Sequence, residues 1–181
     1  MILFLPAEQR VEVIRDYAKR YGIKHLIESG TSVGDTPNAL MDDFTTLTTI
    51  ELDPGLYVRA VQRFAGSKVQ CMMGDSGRLL PGLLVGLTEP VIFWLDGHHS
   101  GPGTAHGDLD TPIVAELTAA VAAPKGSVIL IDDARIFAEG PEHFDEPHYH
   151  DYPPLSWVRD KAQQSGFDYE MKDDIIRITP R

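Results

Sequence analysis

The stretch His25–Thr36, HLIESGTSVGDT, decides the fold. An apolar run stops at a carboxylate, Glu28, and a turn bearing Gly30 and Gly34 follows. Thr36-Pro37 then suits the start of a helix, because the hydroxyl can cap it and proline lacks only an N–H that would be unpaired there. The same order of residues recurs along the chain: TTIELDPG stops at Glu51, VIFWLDGHH at Asp96, and VILIDDAR at Asp132 and Asp133. Strands that end in acids put charge along one edge of a parallel sheet, where open α/β folds bind ligands.

The flanking segments fit an alternating β-α pattern. Pro6 opens a helix whose apolar positions Val11, Ile14, Tyr17 and Ala18 follow three-four spacing, and Gly22 ends it. Strands are expected at 24–28, 46–51, 68–73, 91–95 and 127–131. Helices are expected from Pro37, from Asp53-Pro54, over the Leu-rich 79–87, and from Thr111-Pro112 to about Ala122. Such alternation implies a parallel sheet covered by helices on both faces. The end differs: after a helix over 155–164 and a stop at Gly166, FDYEMK and IIRIT flank Asp173-Asp174 as a hairpin that would add an antiparallel strand. No linker, repeat or low-complexity tract divides residues 1–181, so one domain is expected.

Composition excludes several classes. A 43% hydrophobic and 24% charged chain of 181 residues is an ordinary globular one, long enough to bury roughly 70% of its unfolded surface. A formal charge of −11 argues against a nucleic-acid partner, which calls for clustered Lys and Arg. The lone Cys71 suits a reducing compartment and reads as a buried strand thiol. MILFLP is too short for a signal segment, and no run approaches the ~20 apolar residues of a membrane span, so a soluble cytoplasmic protein is expected.

The first turn suits a nucleotide-like ligand, since its glycines permit backbone approach and a helix N-terminus follows. A dinucleotide is disfavoured. G-x-G-x-x-G is absent, and Glu28 suits a cationic group better than a pyrophosphate. Glu51, at the end of the second strand, is placed to accept from both ribose hydroxyls. Asp75 and Ser76 close the third strand and are candidates for the adenine edge, whereas Asp53 reads as a helix cap.

The series E-x-G-x-x-x-G at Glu28, Gly30 and Gly34, then IEL at Glu51, GDS at Asp75 and Ser76, WLDGHH at Asp96 and LIDDA at Asp132, resembles the class I S-adenosylmethionine (SAM)-dependent methyltransferases. It is most similar to the metal-dependent small-molecule O-methyltransferases of the catechol, caffeoyl-CoA and macrocin type, over roughly Leu26 to Thr179. The resemblance implies a Rossmann-like α/β sandwich on a mostly parallel seven-strand sheet with an antiparallel terminal strand. It implies that Glu28, Gly30, Thr31, Ser32 and Gly34 hold the methionine portion of SAM, Glu51 the ribose, and Asp75 and Ser76 the adenine, with Asp96 beside the donor. Ser32 departs from the common middle glycine. The N-terminal helical cover is shorter than such enzymes carry, which weakens inference of the substrate.

Asp96, Asp132 and Asp133 end neighbouring strands, and converging carboxylates repel unless a cation joins them. A hard divalent ion such as Mg²⁺ suits oxygen ligands, and in the resembling enzymes these positions bind the metal. Methyl transfer to oxygen also needs a base. His99 stands where related enzymes often place it, with His98 the competitor and Asp96 completing the catalytic set. Two long loops, 97–110 and 134–154, carry all the histidines but His25 and are expected above the same edge. His143, His148, Tyr149, His150 and Tyr152 are recognition candidates. Trp94 reads as core, and Arg135 as a substrate contact.

These readings favour a metal-assisted O-methyltransferase acting on a hydroxylated small molecule, such as a sugar or secondary metabolite. They leave room for a homodimer and call for no nucleic acid or membrane. A metal-dependent hydrolase or hydroxylase, or a non-catalytic nucleotide-binding module, are the alternatives on the same scaffold.

Overall fold

Leu26 and Ile27 point to opposite faces of strand β1 (His25–Ser29), and each finds a core of its own. The computed structural model describes residues 6–99, 103–139 and 150–181, with the side chains of 138 and 139 left aside. The remaining strands are β2 (Thr46–Glu51), β3 (Val69–Met73), β4 (Ile92–Leu95), β5 (Val128–Ile131), β6 (Phe167–Lys172) and β7 (Ile175–Pro180). They form one sheet in the order β3-β2-β1-β4-β5-β7-β6. The first five are parallel, and β7 enters antiparallel between β5 and β6. The expected seven-strand, mostly parallel sandwich with its antiparallel terminal hairpin is therefore present.

The helices are α1 (Ala7–Tyr21), α2 (Asp35–Leu40), α3 (Pro54–Arg63), α4 (Ser76–Leu83), α5 (Ile113–Ala120), α6 (Ala134–Glu139) and α7 (Leu155–Gln164). On one face Val11 and Ile14 of α1, Leu40 of α2 and Ala60 of α3 pack on Leu26, Leu47, Ile92, Trp94 and Leu130. On the other, Leu80, Ile113, Leu117 and Val158 pack on Ile27, Ile50, Phe93, Leu95 and Ile129. Both faces of the central strands are thus apolar, as a sheet sandwiched by helices requires. Trp94 is core, 1% exposed, as its strand position predicts. Truncating a fully buried leucine such as Leu117 to alanine should cost about 2–5 kcal/mol.

Several helix boundaries differ from the sequence reading. Helix α2 starts at Asp35 behind Gly34, which takes a left-handed φ of 84°, and no side chain caps it. Thr36 turns its hydroxyl toward Glu28 instead of capping the helix. Helix α4 starts at Ser76, three residues before the expected leucine run, because Asp75 accepts from the Arg78 N–H and fixes the first turn. Helix α5 covers Ile113–Ala120, and the Thr111 hydroxyl accepts from the Ile113 N–H at 3.3 Å. The segment after Asp133, expected as loop, begins with α6. No described helix is long and apolar enough to cross a membrane.

Candidate active site

The turn after β1 folds back over β2. The N–H groups of Gly30 and Thr31 both donate to the Ile50 carbonyl, at 3.0 and 3.2 Å. Ser32 has a positive φ of 51°, and its N–H donates to Glu51 Oε2 at 2.8 Å, while Glu51 Oε1 accepts from the Asp53 N–H at 2.8 Å. One carboxylate therefore fixes both the glycine turn and the entry to α3. Beneath it, Thr31 and Thr49 share a hydrogen bond of 2.6 Å, and the Thr49 hydroxyl donates to Glu28 at 2.5 Å.

A cavity of about 430 Å³ opens beside this turn, a size ordinary for a small-molecule or cofactor site. Gly30, Ser32, Glu51, Asp75, Ser76, Asp96, His98 and His99 line it, together with the apolar Leu52, Leu56, Leu109 and Ala115. Three of the candidate cofactor residues stand behind its wall. Glu28 and Thr31 are 1% and 3% exposed, and Gly34 caps α2 against Phe64. Burial pushes the Glu28 carboxyl up to about 8, against the lowering effect of Thr49 and Thr36, so the acid is mostly protonated at neutral pH. Glu28 shares the Leu26 face of β1 and points under the turn, so no direct contact with a ligand in this cavity follows from its position.

Asp96 and His98 continue from this cavity to a smaller one on the far side, lined also by Asp132, Glu116, Phe137 and Tyr152. His98 lies between two acids, with Nδ1 3.5 Å from Asp96 Oδ1 and Nε2 3.3 Å from Asp133 Oδ2. Ligand atoms of Asp96, His98 and Asp133 all fall within 4.8 Å of one another. Asp132, expected among the metal ligands, is instead bonded by the Arg10 guanidinium of α1, whose Nη1 also lies 3.9 Å from Asp96 Oδ2. Arg135 pairs with Asp133 at 2.8 Å and with Asp174 at the head of β7.

Two guanidinium groups thus face four carboxylates. Burial, with Asp132 and Asp133 nearby, holds Asp96 well above the usual carboxylate range despite Arg10. Burial and Asp133 likewise lift Asp132 to about 6. His98 moves the other way, because burial disfavours its cationic form more than Asp133 favours it. Its imidazole is neutral at neutral pH and able to accept a proton.

Among the described residues, His99 is bonded into the 103–110 loop. Its N–H donates to the Asp110 carbonyl at 3.0 Å, Nδ1 lies 3.1 Å from the Ala105 carbonyl and 3.2 Å from the Thr104 hydroxyl, and its ring meets His106 edge-on at 4.9 Å. This histidine shapes the 103–110 loop. Asp110 ties that loop to the next, accepting from the His150 N–H at 2.9 Å while its own N–H donates to Asp151 at 2.8 Å. The two loops therefore meet over the cavity edge. Tyr152 packs edge-on against Phe137 at 4.9 Å. His143, His148 and Tyr149 lie outside the described residues.

Two side chains at this candidate site escaped the sequence reading. Arg10 gave no signal, because its partners Asp96 and Asp132 are far from it in sequence, the second by 122 residues. Glu116 had one: it sits among Ile113, Leu117 and Ala120, on the stripe that a helix buries. It is 1% exposed, Oε1 has no hydrogen-bond partner among the described residues, and burial lifts it to about 7 against the nearby Ser76 and Ser29 hydroxyls. A Cβ on Gly97 would come within 3.2 Å of that oxygen. Glu116 therefore underlies the turn carrying Asp96 and His98.

No protein-family model and no curated protein sequence matches the chain. Solved structures do. An O-methyltransferase of Streptomyces achromogenes involved in tomaymycin synthesis, in complex with SAM, is 18% identical with a TM-score of 0.65, over 99% of this chain and 82% of that one. The O-methyltransferase from Bacillus cereus in complex with S-adenosylhomocysteine (SAH) is 13% identical with a TM-score of 0.63, over 97% and 82%. An amino pentose methyltransferase from Micromonospora echinaspora involved in calicheamicin biosynthesis, bound to SAM, is 12% identical with a TM-score of 0.66, over 96% and 91%. Identities this low speak for architecture alone, and the architecture of this chain is the class I methyltransferase fold.

Proposed function

We propose that this chain is an SAM-dependent O-methyltransferase acting on a hydroxyl of a small molecule, with the sugars and secondary metabolites as the substrate class. One observation carries the reading: a single cavity runs from Glu51 and Asp75, at the ends of β2 and β3, to Asp96 and His98, at the end of β4. Glu51 offers its remaining lone pairs to a ribose diol, and Asp75 and Ser76 face the adenine end. Gly30 brings bare backbone to the methionine portion. Bound SAM supplies an electrophilic methyl at this edge.

At the other end the chain's own groups prepare the acceptor. Asp96 and Asp133 orient the hydroxyl, and the neutral His98 imidazole takes its proton as the oxygen attacks. Two carboxylates with an imidazole between them are a donor set that fits a divalent ion. Mg²⁺ prefers oxygen and retained water, so it would sit on Asp96 and Asp133, joined by Asp132 only where Arg10 releases it, and would leave His98 for the proton. When bound, such an ion would lower the acceptor pKa.

Calorimetry with SAH tests the donor half, and absence of binding would exclude methyl transfer from SAM. Turnover of a hydroxylated panel with EDTA and then Mg²⁺ tests the metal. Activity unmoved by EDTA would remove the ion and leave the methyltransferase standing. Metal binding without SAH binding would favour a hydrolase on this scaffold.

A further inference from the structure

The cation that joins Asp132 to Asp96 in this structure belongs to the chain itself. Arg10, in the first turns of α1, donates to Asp132 and lies 3.9 Å from Asp96 Oδ2, while Asp96 turns its other oxygen toward His98. A divalent ion sharing Asp96 would sit close to this guanidinium, and like charges at such separation in a partly buried site repel strongly. Asp132 is 5% exposed and can serve only one of the two cations. Helix α1 is also fastened by its apolar face, Val11, Ile14, Tyr17 and Ala18, and by Arg15, which donates to Asp43, so withdrawal of the Arg10 side chain from the two acids leaves that packing in place.

We propose that Arg10 and a divalent metal ion compete for the Asp96–Asp132 carboxylates, so that α1 sets the metal affinity of the site. The inference rests on the acidic end being the reaction end, and it concerns only what that end binds. Withdrawal of the guanidinium frees Asp132 and Asp96 together, turning a site with a resident organic cation into one with oxygen ligands for a hard metal. Loss of Arg10 should therefore tighten metal binding, the reverse of what loss of a ligand or of a fold contact would do.

The experiment is titration of Mn²⁺ alone, with free Mn²⁺ followed by electron paramagnetic resonance, into the full chain and into Arg10→Gln and Arg10→Lys. Arg10→Gln should bind at least tenfold more tightly than the parent, and Arg10→Lys, which keeps the charge, should stay near it. Equal or weaker binding by Arg10→Gln, or no binding by either protein, overturns the proposal. SAH calorimetry on the same samples reports the fold of the variants. If SAH binds none of them, the methyltransferase reading fails while the Mn²⁺ comparison still decides the role of Arg10.

Discussion

A Cβ at Gly30 would stand 2.4 Å from the carbonyl oxygen of Asp96, so the glycine turn after β1 and the acidic turn after β4 touch backbone to backbone. Gly30 also has φ of 82°. Gly30→Ala must then move main chain on both sides of the cavity. It should cost roughly 2–4 kcal/mol and abolish measurable SAH affinity, as read by thermal unfolding and calorimetry. Retained affinity would show that the turn does not approach the ligand.

Glu51 spends one oxygen on Ser32 and the other on Asp53. Glu51→Ala should leave two N–H groups unpaired, destabilising the chain by about 1–3 kcal/mol, and should weaken SAH by tenfold or more. Glu51→Gln keeps the shape but turns an amide N–H toward one backbone donor. Its SAH affinity should fall between the two.

His98 and His99 separate by experiment. His98→Asn should lower the maximal rate by two orders of magnitude or more with SAH affinity little changed, because the lost group serves proton removal. His99→Asn should act through the 103–110 loop, raising the KM for donor and lowering kcat far less. The opposite pattern would move the base to His99.

Glu28 gives the stability profile a sign. Its pKa rises from 4.5 to about 8 on folding, so the folded state holds a proton that the unfolded state has released between those values. Its contribution to stability is unaffected below about pH 4.5 and declines as pH rises to about 8. Glu28→Gln removes that decline. The stability difference between variant and parent, measured by denaturant titration without ligand, should shift in favour of the variant by about 3 kcal/mol between pH 5 and pH 8. Parallel profiles would show that Glu28 titrates normally.

The donor side of the site was legible because it is local. Gly30 and Gly34 adopt the positive φ that their turn demands, and Glu51 and Asp75 fall at strand ends that hydrophobic pattern alone predicts. Side-chain depth was not legible. Glu28 lies on the same face of the sheet as Glu51 but pairs with Thr49, two residues short of the end of β2, so it is buried beneath the turn, and pattern does not say how deep each strand-end acid sits. The acidic end was half legible: convergence of Asp96 with Asp132 and Asp133 follows from β4 pairing β5, while the arrival of Arg10 depends on how α1 crosses the sheet.

Asp174 receives the N–H groups of Ala134 and Arg135 as well as the Arg135 guanidinium, so the β6-β7 hairpin clamps the turn bearing Asp133. β7 also lies between β5 and β6 and carries Ile175, Ile176 and Ile178, each fully buried, so a chain cut short within the hairpin would lose core on both faces of the sheet together with this clamp.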